Sequence, residues 1–197
     1  MITRWIREGK TVAVGRLQGL DKAYAKGDSK HDSDHFYRRA RIGNYVSCWT
    51  MSARDNMALW QLYGGVGTSI AVTSTVDQLI RCSIGWDRQM HLHKVQYVDH
   101  RRVGSYVVGH YSDVLRYKSD AYTYEKELRL IVPQQGDDWE KNPICLRLPL
   151  SNLDQLVRSV VVAPEADASF FDAVTDLCKR YGLVAPVKRS MLAVMSV

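Results

Sequence analysis

The segment Tyr124-Glu125-Lys126-Glu127-Leu128-Arg129-Leu130-Ile131-Val132 concentrates the chemistry of this chain. Its β-branched and aromatic residues, ended by Pro133, predict a strand. Side chains alternate along a strand, so Leu128, Leu130 and Val132 share one face, suited to a core. Glu125, Glu127 and Arg129 share the other. At ~3.4 Å per residue the two carboxylates lie within ~7 Å of each other, which is costly unless a cation meets them. Two readings follow. In one, Arg129 meets them on an open face and the strand carries a solvated ion-pair ladder. In the other, the strand lines a cleft where a carboxylate meets a ligand's hydroxyls or a developing positive charge.

Other standard sites are missing from the sequence. Gly64-Gly-Val-Gly67 lacks the lysine of a phosphate-binding loop and leads into a strand rather than a helix. There is no G-x-S-x-G elbow and no H-E-x-x-H. His91 and His93 fall on one strand face without a further ligand motif beside them, so no metal is expected. A metal nuclease is disfavoured by the lack of a D…(D/E)-x-K cluster. Cys48, Cys82, Cys145 and Cys178 are widely spaced and sit among apolar or small neighbours, as buried free thiols do. Trp49, Trp60, Tyr63, Tyr97, Tyr117, Tyr122 and Tyr124 lie in or beside the elements below. Most suit core packing, and one or two suit stacking on a base or a nicotinamide ring.

Strands are predicted at 45–50, 68–73, 94–99, 124–132, 144–148 and 157–162, with one or two more across 184–194. Helices are predicted from a Ser52–Asp55 capping pattern through Met57, Trp60 and Tyr63, at 76–81, and at 169–181. The last has a Ser169–Asp172 cap and an apolar face of Phe170, Val174, Leu177 and Cys178. Strands outnumber helices and do not alternate with long ones. The expected fold is α+β: a single mixed, mostly antiparallel sheet with flanking helices.

The chain has 197 residues, 46% hydrophobic and 24% charged, enough for one domain or one domain with an arm. Residues 1–55 carry 11 Lys/Arg against 6 Asp/Glu, and the remainder 16 against 15, so the basic excess is N-terminal. It suits a solvated arm or an anionic partner such as nucleic acid. Residues 1–44 are read as a basic segment with a mobile loop at 25–35, and residues 45–197 as a single domain. No apolar run reaches the ~18 residues of a membrane span, and the N-terminus lacks the apolar stretch of a signal peptide. A cytoplasmic protein without membrane association is expected.

Residues 45–63, from Tyr45-Val-Ser-Cys-Trp-Thr through Leu59-Trp60-Gln-Leu-Tyr63, resemble the blocks of a bacterial family, domain of unknown function 2971. So do Thr68-Ser-Ile-Ala-Val-Thr73, Val95-Gln-Tyr97, Lys118 and Tyr124-Glu-Lys-Glu-Leu-Arg129. The later blocks match its K…(Y/H)-E-x-E-x-R element. The resemblance spans about 45–194. It departs at Leu59-Trp60, where Met-Trp is usual, and in residues 1–44, which lack the family's upstream blocks. Some relatives are linked with abortive infection and toxin–antitoxin loci. The block order is also similar to ADP-ribosyltransferases, especially those that modify DNA.

That second resemblance implies an enzyme that cleaves NAD as substrate. Glu127 would be the catalytic carboxylate beside the ribose, and Glu125 would orient the acceptor. Ser47 or Thr50 would support the nicotinamide ribose, Tyr63 would stack on the ring, and Arg129 or one of Arg38, Arg39 and Arg41 would hold the diphosphate. Nucleic acid is the implied acceptor, and an antitoxin or other protein the implied partner. The competing expectation is a non-enzymatic nucleotide- or partner-binding module. A Glu127 in a cleft with aromatics and an arginine favours the enzyme; a Glu127 on an open face favours the module.

Overall fold

The computed structural model describes residues 4–5, 38, 40, 42–99, 112–136, 143–150 and 152–195. The expected mobile loop at 25–35, and Arg39 and Arg41, lie outside the described residues. The chain divides into two compact units. One comprises Met1–Arg4, Trp49–Trp86 and Leu148–Val197; the other comprises Trp5–Cys48 and Asp87–Arg147.

The class is mixed α+β, as expected, but the strands form three small sheets among the described residues rather than one. The strands are β1 (Arg4–Trp5), β2 (Asn44–Thr50), β3 (Ile70–Thr73), β4 (His91–Lys94), β5 (Gln96–Val98), β6 (Tyr117–Ser119), β7 (Glu127–Pro133), β8 (Ser159–Val162) and β9 (Val187–Arg189). One sheet has the order β1-β2-β7-β4, a second β3-β8-β9 and a third β5-β6. The four-residue ladders β3–β8 and β4–β7 are antiparallel, while the shorter β5–β6 and β8–β9 are parallel.

The first unit packs helix α1 (Met57–Tyr63), α2 (Val76–Arg81) and α3 (Ala168–Arg180) with the β3-β8-β9 sheet. Its core holds Leu59, Trp60, Ala71, Leu79, Val160, Val162 and Val174. Two helix caps differ from the expected serines. Asn56 caps α1 by accepting from the Ala58 N–H at 2.9 Å, while the Ser52 hydroxyl is spent on the Arg54 carbonyl at 2.7 Å. Asp167 caps α3 by accepting from the Phe170 N–H at 2.7 Å, and Ser169 merely donates to that same carboxylate at 2.8 Å. At α3 the Asp167 carboxylate, two residues before Ser169, takes both the Phe170 N–H and the Ser169 hydroxyl. Helix α2 has a full capping box, Thr75 with Gln78. At the end of α1, a Cβ on Gly64 would stand 2.7 Å from the Ser69 Cβ, so only glycine lets the chain pass there.

Helix α3 corrects the expected apolar face. Val174 is buried, but Leu177 is 53% exposed. The Leu177→Ala change is therefore expected to cost under ~1 kcal/mol, whereas Val174→Ala removes two buried methyl groups and costs about 2 kcal/mol. Urea midpoints of the two variants check this order. The segment 144–148 is not a strand, with Ile144 74% exposed, and Met191–Met195 is a 3-10 helix. An apolar run alone does not supply the ladder partner that a strand needs.

In the second unit, β7 runs between β2 and β4. Its register against β4 sets His91 opposite Ile131 and His93 opposite Arg129. The Val95 N–H donates to the Glu127 carbonyl at 2.9 Å and extends the ladder by one residue. The chain then passes into β5, whose Tyr97 is in register with Lys118 of β6. This turn brings the β5-β6 pair to the start of β7. No helix among the described residues is long and apolar enough to cross a membrane.

Candidate functional site

Strand β7 begins at Glu127, two residues after Glu125, which corrects the expected strand start at 124. Residues Asp120–Glu125 form a 3-10 turn, and Lys126 takes the left-handed conformation with φ 45° and ψ 53°. Left-handed backbone at a non-glycine residue is uncommon, and here it reverses the chain before the strand. Glu125 therefore reaches the cluster from the turn and not from the strand face.

The alternation within β7 stands: Leu128, Leu130 and Val132 are buried on one face, Glu127 and Arg129 on the other. The polar face is not solvated, which overturns the open ion-pair ladder. Lys118, Glu125, Glu127 and Arg129 are 1%, 3%, 5% and 6% exposed. Lys118 Nζ donates to Glu127 Oε2 at 3.0 Å and also to Glu125 Oε2. Arg129 Nη2 donates to the same Glu127 oxygen at 3.1 Å, and its Nη1 to the Leu115 carbonyl. The Cys48 thiol completes the shell around the Glu127 carboxylate. The Glu127 N–H donates to the Tyr97 hydroxyl at 2.8 Å. Lys118 Nζ lies 4.9 Å from the centre of the Tyr122 ring, close enough for a cation–π contact. Among the described residues the cluster pairs two cations with two carboxylates, and buried charges persist when they are paired.

Burial alone would push the Glu127 carboxyl up. Arg129 and then Lys118, with hydrogen bonds from Arg129 and Cys48, outweigh it and hold the group at about 2. Glu127 is thus an anion at neutral pH and a poor proton carrier. Burial first, and Glu127 second, push the Cys48 thiol up to about 12, so it stays protonated and donates. Burial works against the Arg129 charge, and Glu127 more than restores it.

These values carry a pH dependence. The folded Glu127 sits near 2 against an ordinary 4.5, so it favours the folded state fully above about pH 4.5. That contribution is lost as pH falls through 4.5 towards 2. A gap of about 2.5 units corresponds to about 3 kcal/mol. Unfolding free energies from urea titrations at pH 6 down to pH 2.5 should show this fall, and Glu127→Gln should lose that part of the slope.

The structure brings together Glu127, Glu125 and Arg129 of the expected residues. It adds Lys118, Tyr97 and Cys48, which the sequence offered only within the matching blocks, Tyr97 also as a packing or stacking aromatic and Cys48 as a buried free thiol. Ser47 is 7% exposed and alternates with Cys48 along β2, so it faces away from the side that meets Glu127. Thr50, 8% exposed, and Tyr63, half-buried at the end of α1, belong to the other unit. Arg38 is exposed.

His91 and His93 do share a face, with ring centres 6.1 Å apart. Burial, then Arg116, then His91 lower the His93 pKa. Among the described residues no group of three His, Cys, Asp or Glu could hold a metal ion. Of the four thiols, Cys82 is buried, Cys48 and Cys178 are half-buried, and Cys145 is exposed, contrary to the expectation of four buried ones.

Comparison with protein-family models, with curated proteins and with solved structures finds no match for this chain.

Proposed function

We propose that the chain is an ADP-ribosyltransferase-like enzyme that cleaves NAD and modifies a macromolecule, acting in the cytoplasm as a toxin or phage-defence effector. The observation that carries this reading is the Glu127 carboxylate, held fully ionised by Lys118 and Arg129 at 3.0 and 3.1 Å. Cleavage of the nicotinamide–ribose bond builds positive charge on the ribose C1′. Nicotinamide leaves with the bonding electron pair, and the acceptor's nucleophilic atom bonds to C1′ and loses its proton. A carboxylate that never takes up that proton, and only opposes the charge, suits the task. Glu127 has this character. In this reading Glu125 would meet the acceptor from the turn, and Arg129 would hold an anionic part of the dinucleotide. The basic excess of residues 1–55 favours a nucleic-acid acceptor. An antitoxin that blocks the site is the protein partner this role calls for.

A second reading rests on the burial of all four charged side chains at 6% exposure or less. In it the neutral cluster only fixes the fold, and the chain is a nucleotide- or partner-binding module of a defence system. Thermal shifts with NAD and with ADP-ribose test the enzyme reading. At ~100 times its dissociation constant a ligand of the folded state adds about 2.7 kcal/mol. Stabilisation by both is expected of the enzyme, and the lack of any shift at millimolar ligand contradicts it.

A further inference from the structure

We infer that the open edge of β3 pairs with the β3 of a second copy of this chain, antiparallel and about a two-fold axis at Ala71. The inference lies apart from the Glu127 cluster and does not depend on its chemistry. Strand β3 ends the β3-β8-β9 sheet, and among the described residues no strand lies along its other side. An open strand edge is a template for a further strand, and proteins commonly guard it with charge or proline. The other edges of the two larger sheets are guarded in this way. β1 carries Arg4, β4 carries Lys94, and β9 carries Lys188 and Arg189. β3 reads Ile70-Ala-Val-Thr73, without charge or proline, and its Ile70 is 44% exposed.

The backbone sets which residues can pair. The Ser69 carbonyl accepts from the Ala163 N–H at 3.0 Å and the Thr73 carbonyl from the Arg158 N–H at 2.8 Å, both on the β8 side. Successive residues of a strand turn their backbone groups to opposite sides, so Ile70 and Val72 turn theirs to the open edge. The sequence around them selects a second copy as the occupant. Thr68-Ser-Ile-Ala-Val-Thr-Ser74 has the same pattern from either end: two hydroxyl residues, a β-branched apolar residue, and alanine at the centre. A two-fold pair centred on Ala71 sets Ile70 opposite Val72 of the second copy, and Val72 opposite its Ile70. Both residues offer outward N–H and C=O groups, so about four backbone hydrogen bonds close. Each pair also brings two β-branched side chains together on one face, and no charge meets its like. Displacement by one residue would set outward groups against residues turned towards β8.

Sedimentation equilibrium of the whole chain tests this. The paired edge is short, so a dimer with a dissociation constant on the order of 10 µM is expected. Ile70→Lys and Val72→Glu each place an unpaired charge in the pairing and should weaken the dimer by ~10-fold or more. An equimolar mixture of these two variants should restore it, because the introduced ammonium and carboxylate groups face each other across the axis. Val184→Lys adds the same charge to a side chain 85% exposed in the same unit, and should leave the dimer unchanged. A wild type that stays monomeric at ~200 µM overturns the inference and leaves the edge to a strand of another protein. A dimer indifferent to both edge variants, a mixture no better than either alone, or growth beyond the dimer also overturns it. Amide exchange of the wild type decides the matter if a variant does not fold. The Ile70 and Val72 N–H groups should exchange more slowly as concentration rises, and rates independent of concentration contradict the pairing.

Discussion

Replacing Lys118 by Met is expected to cost about 3–5 kcal/mol of folding stability, a large part of what a domain of this size possesses. Methionine preserves the length and apolar stem of the side chain and removes its ammonium group. Two carboxylates, Glu125 and Glu127, would then lose the ammonium group they share, with Arg129 still paired to Glu127. Like charges at this range push one carboxyl upward. Its folded pKa would rise above the unfolded value, so the deficit should be full at pH 7 and narrow as pH falls towards 4. The control is Arg81→Met. Arg81 pairs with Asp77 at 2.8 Å, but the two side chains are 72% and 67% exposed, and such a pair contributes under ~0.5 kcal/mol. Denaturant titrations of both variants at pH 7 and pH 4 check the contrast. Equal midpoints for the two would contradict the burial of the cluster.

Glu127→Gln carries the second large effect. The amide keeps the shape of the carboxylate and can still accept a hydrogen bond from a ribose hydroxyl, but it offers no charge to the forming C1′ cation. The rate of NAD cleavage should fall by ~100–1000-fold with little change in NAD affinity. The substitution also removes the carboxylate that Lys118 and Arg129 share, so stability must be read beside activity. A companion, Glu127→Gln with Arg129→Met, removes one charge of each sign and keeps the Lys118–Glu125 pair. Its loss of stability should fall short of the sum of the two single losses by about 1–3 kcal/mol, because the partners are in contact. Its NAD cleavage should remain as low as that of Glu127→Gln.

The strand alternation that placed Glu127 and Arg129 on one face was readable, because a period of two needs only the order of residues. So was helix α2, where Thr75 and Gln78 form a local cap. What hid the burial of that face was the origin of its cover. Lys118, Leu115 and Tyr97 arrive from separate segments, and no local pattern says that β5-β6 closes over the start of β7. The break between Glu125 and Glu127 was hidden for a different reason. Tyr124-Glu-Lys-Glu has strand-like alternation throughout, and the left-handed Lys126 that divides it bears no glycine or asparagine to announce the turn. Leu177 misled because a wide apolar stripe on α3 fits several rotations about the helix axis, and the sheet covers only the side of Val174. The three small sheets were likewise invisible, since strand count says nothing about which strands pair.

We propose that the ionised Glu127 opposes positive charge on a ribose. The most direct measurement is NAD turnover per folded molecule for wild type and Glu127→Gln, with the folded fraction taken from circular dichroism on the same samples. Wild type is expected to consume NAD and release nicotinamide, and folded Glu127→Gln to do so at a ~100–1000-fold lower rate. A wild type that leaves NAD intact, or a folded Glu127→Gln that turns it over at the wild-type rate, would contradict it.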